Sequence, residues 1–537
     1  MTQSPYSAHV DTFTRDNLPS RSTWPEFLFT TPEVHYPPRL NCAAELLDRH
    51  VRAGHGSRRC LVTDTETWTY ADLLARSNQV ARVLTEEAGL VPGNRVLLRG
   101  PNNPWLVASW FGVIKAGGVA VTTMPLLRAG EIGTMAGIAE PKIAICDHRF
   151  VEDLEKASIA KLTTLVYGGS GQDDLTAVAG SRPADFENVD TAADDVCMLA
   201  FTSGTTGRPK ATMHFHRDVL AIADTFSHHV LRPTADDLFT ASPPLAFTFG
   251  LGQSVVFPLR AGAATFLMEQ PSPARLLEAV DRRGITVLAT APTAYRAMVP
   301  DLKAARTSSL RACVSAGETL PKATWEAVHD ASGIRIIDGI GSTEMLHIFI
   351  SAAEEEIRPG TTGRAVPGYV AEVHDPDGRP VPDGELGRLA VKGPTGCRYL
   401  RGDRQSTYVQ HGWNITGDVY VRDGDGYFRY QARADDMIIS AGYNIAGPEV
   451  EEALLRHSAV AEAAVVGVPD ENRGMIVKAV VVLRPGAELG PDPARTLQDF
   501  VKSEIAPYKY PRAIEFAETL PRTATGKLQR FRLREGS

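Results

Sequence analysis

The sequence predicts an α/β fold built on mostly parallel strands, followed by a turn-rich β region and a small α+β unit. Three observations point there. From about residue 40 to 400, short β-branched runs alternate with stretches of helical spacing, as in strands joined by crossover helices. After about residue 380 the chain turns rich in Gly, Pro and Asp, as in "HDPDGRPVPDGELGRLAVKGP", which reads as hairpins. The last hundred or so residues then carry a helix–strand pattern of their own. No fixed-period repeat is visible, so a solenoid is not expected.

The elements follow in order. Residues 1 to about 40 are Pro-rich and aperiodic and are expected to wrap the surface. "YADLLARSNQVARVLTEE" (70–87) has helical spacing, with Leu73, Leu74, Val80 and Leu84 on its apolar face. "RVLLRG" (95–100), "GVAVTT" (118–123), "KIAIC" (142–146), "TTLVYG" (163–168) and "ITVLAT" (285–290) are candidate strands. Trp105 to Leu127 is the most apolar long stretch, but Lys115 and Gly117-Gly118 interrupt it. It is too broken to span a bilayer and reads as a buried helix followed by a strand. "HGWNITGDVYVRDGDGYFRYQARADD" (411–436) continues the hairpin pattern. "GPEVEEALLRHSAVAEAAVVGVPD" (447–470) reads as a helix entered through Pro448 and then a strand. "QARADD" (431–436) is the expected boundary of the last unit.

Length and composition exclude several classes. At roughly 150 residues per domain, 537 residues allow two to four structural units. Lys+Arg 56 against Asp+Glu 64 gives a net charge of −8 with no basic block, so no nucleic-acid partner is expected. The six cysteines are scattered without a CxxC pair, which suggests neither a zinc site nor a disulfide framework but buried, reduced thiols of a cytoplasmic protein. The first thirty residues lack a basic start and an apolar run, so no signal peptide is expected, nor a membrane partner.

"LAFTSGTTGRPKATMHFH" (199–216) is the most informative stretch. Small hydroxyls, two glycines and Lys210 follow an apolar strand. Backbone N–H groups and hydroxyls pointing inward make an anion nest, and lysine adds a mobile charge. It is not a Walker A loop, because Arg208 and Pro209 separate Gly207 from Lys210. By itself the stretch fits either a phosphate loop or a flexible surface turn.

"TSGTTGRPK" (202–210) resembles the phosphate loop of the adenylate-forming superfamily of acyl-CoA synthetases, adenylation domains and luciferases. Four further segments match in the same order: "SAGETLP" (315–321), "DGIGSTE" (338–344), "TGD" (416–418) with "ARADDMIISAGYNI" (432–445), and "PRTATGK" (521–527). Each alone has a bland reading as a turn, a helix-start acid, a surface pair or a tail lysine. Five in order, across nearly the whole chain, carry the resemblance. "DGIGSTEMLHIF" and "FTFGLGQSVVFPLRAGA" are similar to the benzoate-CoA ligase group. "AHVDTFTRDNLPSRSTWPEFLF" and "RLNCAAELLD" are similar to 2-aminobenzoate-CoA ligases.

The resemblance implies an N-terminal part (1–432) of two α/β subdomains plus a small β-rich subdomain, a hinge (433–436) at Asp435, and a mobile α+β lid (437–537). It implies that ATP attacked by a carboxylate gives an acyl-adenylate and pyrophosphate, and that coenzyme A then displaces AMP. The alternative is a stand-alone enzyme that loads an aryl group onto a carrier protein; an idle binding protein of the same fold is a third reading. Thr202, Ser203, Gly204, Thr205, Thr206 and Lys210 would hold the phosphates, and Thr343 the α-phosphate. Glu344 would ligate Mg²⁺, for which carboxylate oxygen is a suitable hard donor. Asp418 and Arg433 would meet the ribose; Gly317, Glu318, Asp338 and Gly339 would line the adenine. Lys527 would bridge the attacking carboxylate and the α-phosphate. Ala441 and Gly442 would form the face presented in the CoA step. The acyl pocket would be Ala246, Phe247, Thr248, Phe249, Gly250, Ser315, Ala316, Ile340, Met345 and His347, suited to a small aromatic acid. The chain departs from the family pattern at Ile340, where an aromatic is usual, and at Ile439, where some relatives carry lysine. A monomer or homodimer is expected.

Overall fold

The computed structural model describes residues 6–203, 209–402, 404–434, 436–440, 443–470, 473–487, 489–522 and 528–535. Gly204, Thr205, Thr206, Asp435, Ala441, Gly442 and Lys527 lie outside the described residues.

Among the described residues the strands form four sheets. A six-stranded sheet runs in the order Thr163–Tyr167, Ile143–Asp147, Arg95–Arg99, Val119–Thr123, Val196–Ser203, Pro209–Phe215. Its strands are parallel except for the last, which returns as a hairpin. A nine-stranded sheet has a parallel centre formed by Ile336–Gly341, Ala312–Ser315, Val287–Thr290, Leu238–Ala241, Ala264–Phe266 and Arg59–Val62. The predicted strands at 95–100, 118–123, 142–146, 163–168 and 285–290 are all present. The uniform burial of Arg95–Arg99, Val119–Thr123 and Ile143–Asp147 explains why these read as apolar runs rather than alternating patterns, whereas the edge strand Thr163–Tyr167 is exposed at its start.

Helices cover these sheets where the spacing predicts them. Tyr70–Arg82 starts with a capping box in which Thr69 and Asp72 satisfy each other's backbone N–H groups. Pro104–Lys115 is capped by Asn103 and opens on proline. It is the buried helix expected of the apolar stretch, and it leads into Val119–Thr123. The two helices pack face to face, and a Cβ on Gly112 would come within 2.7 Å of Val80. One continuous core joins both sheets, from Leu40 to Phe428.

A third, antiparallel sheet holds Val370–His374, Leu386–Lys392, Trp413–Arg422, Val409–Gln410 and Phe428–Arg433. These are the hairpins that the turn-rich region predicts. The fourth sheet, Tyr443–Ile445, Ile438–Ser440, Gly474–Leu483 and Val460–Asp470 with Ala513–Phe516, has its own core around Ile445, Val450, Leu454, Val481 and Leu497. The helix entered through Pro448, Gly447–Leu455, packs on it. No helix among the described residues is long and apolar enough to cross a membrane.

Candidate active site

The strands on either side of the phosphate-loop candidate are paired antiparallel. Val196–Ser203 pairs with Val119–Thr123 at Met198 and Leu199. It pairs with Pro209–Phe215 from Val196↔Phe215 to Ser203↔Pro209. The hairpin therefore projects past its parallel neighbour, at the carboxyl end where open α/β sheets bind ligands. Thr202 is registered opposite Lys210, which sets both at the base of the loop.

Segment 398–400 lies along the hairpin's outer strand. Met213 N–H donates to the Arg398 carbonyl (2.7 Å), Leu400 N–H donates to the Ala211 carbonyl (2.9 Å), and Thr212 is bridged to Tyr399. This brings the Tyr399 ring 5.8 Å from Lys210 Nζ. Burial lowers the Lys210 pKa, Arg404 and Arg433 lower it further, and Glu344 opposes them. Beneath, Arg398 and Asp218 form a fully buried ion pair.

Glu344 lies in the turn between Ile336–Gly341 and Ile348–Ser351, which pair antiparallel with an irregular register at Ile340/Gly341. Ser342 Oγ accepts the Met345 N–H at 3.1 Å and lies 3.2 Å from Tyr408 Oη. Leu346 is held at φ 71, a left-handed conformation uncommon outside glycine. Gly341 is required here because a Cβ would meet the His347 carbonyl oxygen at 2.6 Å. Tyr399 Oη donates to Glu344 Oε1 at 2.5 Å. Burial, and then the Glu344 charge, push the Tyr399 hydroxyl pKa far up, so it remains a donor. No sequence motif points to Tyr399. It falls between the matched segments, and only the bridge to Thr212 reveals it.

Asp418 and Arg433 face each other across the paired strands Trp413–Arg422 and Phe428–Arg433. Arg433 Nη1 donates to Asp418 Oδ1 (3.0 Å) and to the Thr416 carbonyl (3.1 Å). Gly417 has φ +78, and a Cβ there would lie 2.8 Å from Arg433 Nη2. Glycine thus lets the guanidinium cover the backbone beside the carboxylate.

The adenine candidates occupy the ends of adjacent strands. Ser315 pairs with Asp338 in register, and Gly317 turns the chain at φ +89. Asp338 is half-buried as a residue, but its Oδ1 is shielded. Desolvation pushes its carboxyl up to about 8 against the lowering pull of the Gly339 N–H. Glu318 Oε1 lies 3.8 Å from Arg522 Nη1, and Arg522 Nη2 also donates to Glu462 Oε2 at 2.6 Å. Arg522 thereby links the C-terminal unit to the body. It is bridged to Leu528, the next described residue.

Among the acyl-pocket candidates, Ala246, Phe247, Thr248 and Phe249 are partly exposed, whereas Ser315 and Met345 are 0% exposed. His347 is ringed by Phe257, Phe249 and Phe226, with centroids 4.5, 5.6 and 5.7 Å away. Burial lowers its pKa to about 3, so the imidazole is neutral. The Phe249 backbone opposes that shift, but neither ring nitrogen reaches hydrogen-bond geometry. Gly252 makes room for it: a Cβ would lie 2.4 Å from the ring.

Residues 47–399 match the AMP-binding enzyme family, and residues 449–527 match the AMP-binding enzyme C-terminal domain. Benzoate–CoA ligase of Thauera aromatica is 37% identical over 515 residues, covering 94% of this chain and 98% of that enzyme. The anthranilate CoA ligase AuaEII, solved with anthranoyl-AMP, superposes with a TM-score of 0.89 at 34% identity, over 94% of this chain and 99% of that one. A benzoate CoA ligase from Burkholderia xenovorans gives 0.84 at 33% identity, over 92% and 100%. With a family model over most of its length and a relative 37% identical across 94% of it, the chain belongs to the AMP-binding enzyme family.

Proposed function

We propose that the protein is an ATP-dependent aryl-CoA ligase acting on benzoate-type acids, benzoate or 2-aminobenzoate, through an acyl-adenylate. The observation that carries this reading is the pair of partly exposed aromatics Phe247 and Phe249, the latter with its ring 5.6 Å from the buried, neutral His347. Flat apolar walls suit an arene. An imidazole whose nitrogens make no hydrogen bond among the described residues can accept one from an ortho-amino group.

In this reading the carboxylate attacks the α-phosphate and pyrophosphate leaves; the CoA thiolate then displaces AMP. The first step sets an anion against a polyanion, so positive charge must converge there. Lys210 and the loop it closes serve the β- and γ-phosphates, and Thr343 the α-phosphate. Asp418 accepts from the ribose hydroxyls, with Arg433 holding the carboxylate in place. Glu344, one oxygen fixed by Tyr399, suits Mg²⁺ as a hard donor; when bound, the ion would neutralise phosphate charge. Lys527, reached from the Arg522 anchor, would supply the last cation. The residues from 437 onward would turn as a lid about Asp435, bringing Ala441 and Gly442 to the cleft for the CoA step. The six buried free thiols fit a reducing cytoplasm.

The test is pyrophosphate release with benzoate, 2-aminobenzoate, salicylate and medium-chain fatty acids, followed by mass detection of thioester on free CoA or on a carrier protein. Aryl acids should turn over well above fatty acids, with the aryl group appearing on CoA. Preference for fatty acids, or transfer to the carrier alone, would overturn the reading.

A further inference from the structure

Glu33 belongs to the short turn Pro32–Val34 of the N-terminal segment. His228 and His229 belong to the wide-turn helix Ala223–Leu231 on the body. Glu33 Oε1 lies 3.9 Å from His228 Nε2, and Glu33 Oε2 lies 3.9 Å from His229 Nε2. One donor atom from each residue falls within 4.8 Å of the other two. The imidazole planes stand at 89° with centroids 4.8 Å apart, so two nitrogens approach one carboxylate from crossed planes. The wide turn makes this feasible, since it reduces the angle between consecutive side chains; such turns often mark functional sites.

The distances suit neither hydrogen bonds nor empty contact. At 3.9 Å no N–H···O bond is made. His229 Nε2 and Glu33 Oε2 are nonetheless shielded from solvent and make no hydrogen bond to each other, although the Glu33 carboxylate is also drawn toward Thr31 and its own N–H. Two buried polar atoms facing each other unsatisfied are costly. A cation between them would satisfy both.

We propose that Glu33, His228 and His229 bind a divalent first-row metal ion, Zn²⁺ foremost, which clamps the N-terminal segment to the body. Two imidazoles and a carboxylate are a zinc donor set, and donors on one tetrahedral ion stand about 3.3 Å apart. The donors, 3.9 Å apart at the two His–Glu contacts and all within 4.8 Å, would have to draw together by roughly 0.6 to 1.5 Å to reach that spacing, a shift that side-chain rotation can supply. His228 is 57% exposed, leaving the remaining position open to water. The neighbouring cation Arg232 is directed to Glu354 at 3.3 Å. The clamp would add to a tie already present on the same helix, where Tyr36 Oη donates to Asp224 Oδ2 at 2.8 Å.

The test uses the full chain with no histidine tag, stripped with EDTA and titrated with ZnCl₂ by calorimetry, with melting followed in parallel. The wild type should take up one zinc and melt higher with zinc than with EDTA, because an ion that binds only the folded state stabilises it. Glu33→Gln and His228→Ala should each weaken that binding by at least about tenfold, and abolish the zinc-dependent rise while melting as wild type in EDTA. His228→Gln serves as a second variant should His228→Ala unfold. The proposal is overturned if the wild type shows no zinc-dependent rise, or if the folded variants bind zinc as tightly as the wild type, as they would were the buried thiols the ligands.

Discussion

Tyr399 Oη donates to Glu344 Oε1 across 2.5 Å, joining residues 55 apart in the chain. Tyr399 is fixed in turn by its N–H, which donates to Gln405 Oε1 at 3.0 Å, and by the Tyr408 ring at 5.9 Å. The hydrogen bond removes one of the carboxylate's rotations and aims its second oxygen. Groups that orient metal ligands typically contribute about 10- to 100-fold to affinity or activity. If Glu344 ligates Mg²⁺ as proposed, Tyr399→Phe should raise the Mg²⁺ concentration needed for half-maximal ATP–pyrophosphate exchange by about that factor. It should also weaken Mn²⁺ binding measured by calorimetry with a non-hydrolysable ATP analogue. An unchanged metal dependence would make Tyr399 a packing residue only.

Asp418 gives a prediction confined to nucleotide binding. Hydrogen bonds to a charged group contribute about 1.5–3 kcal/mol, or roughly ten- to a hundredfold. Asp418→Ala should raise KM for ATP by about that factor and leave KM for the aryl acid unchanged. Gly417→Ala should have a related effect, since its Cβ would displace the Arg433 guanidinium. Initial rates with each substrate varied in turn separate the two constants. A matching rise in KM for the acid would place Asp418 elsewhere in the mechanism.

The parallel strands were legible because full burial on both faces writes continuous apolar runs, as in Arg95–Arg99 and Ile143–Asp147. "TGD", read by itself, looks like a turn, yet Thr416 to Asp418 lie inside the strand Trp413–Arg422. The positive φ of Gly417 and the shifted register at Val419/Tyr420 disrupt the alternation that would have marked it. The wide-turn continuation Val83–Glu87 of the first long helix has no separate sequence signal. At the site, the motif segments were legible through the family resemblance. Tyr399 and Arg522 were not, because their roles depend on a strand bridge and on a contact between units that no local pattern encodes.

Desolvated histidines, three of them buried and His50 partly so, set the acid limit of stability. His214 and His347 are held down to about 3 by desolvation, and His9 and His50 to about 4. Between these values and 6.5 the unfolded chain binds protons that the folded chain does not. Their contribution is thus intact above pH 6.5 and is lost as pH falls, at up to about 1.4 kcal/mol per pH unit for a fully buried histidine. Asp338, raised to about 8, acts with the opposite sign: it holds a proton in the folded state from pH 3.8 to 8 and offsets one histidine there. Urea unfolding from pH 7 to 4.5 should show stability falling with pH. The fall should be shallower in His214→Gln and steeper in Asp338→Asn. An unchanged slope in His214→Gln would mean that this imidazole is already protonated in the fold.

Arg522 gives the prediction that separates the two half-reactions. It donates to Glu462 in the C-terminal sheet and lies 3.8 Å from Glu318 on the body, and Lys527 follows five residues later. If this anchor delivers Lys527 to the α-phosphate, only the adenylation step uses it. Lys527→Ala should slow pyrophosphate exchange by about 100- to 1,000-fold, the effect of losing one positioned transition-state donor. It should leave thioester formation from supplied acyl-adenylate near the wild-type rate. Arg522→Ala removes a partly exposed ion pair of about 0.5–1 kcal/mol, so it should slow exchange about two- to fivefold and spare the second step. Single-turnover assays of each half-reaction measure both. Equal losses in the two steps for Lys527→Ala would dissociate the tail from the chemistry, because a cation needed only for phosphoryl attack has no part in displacement of AMP.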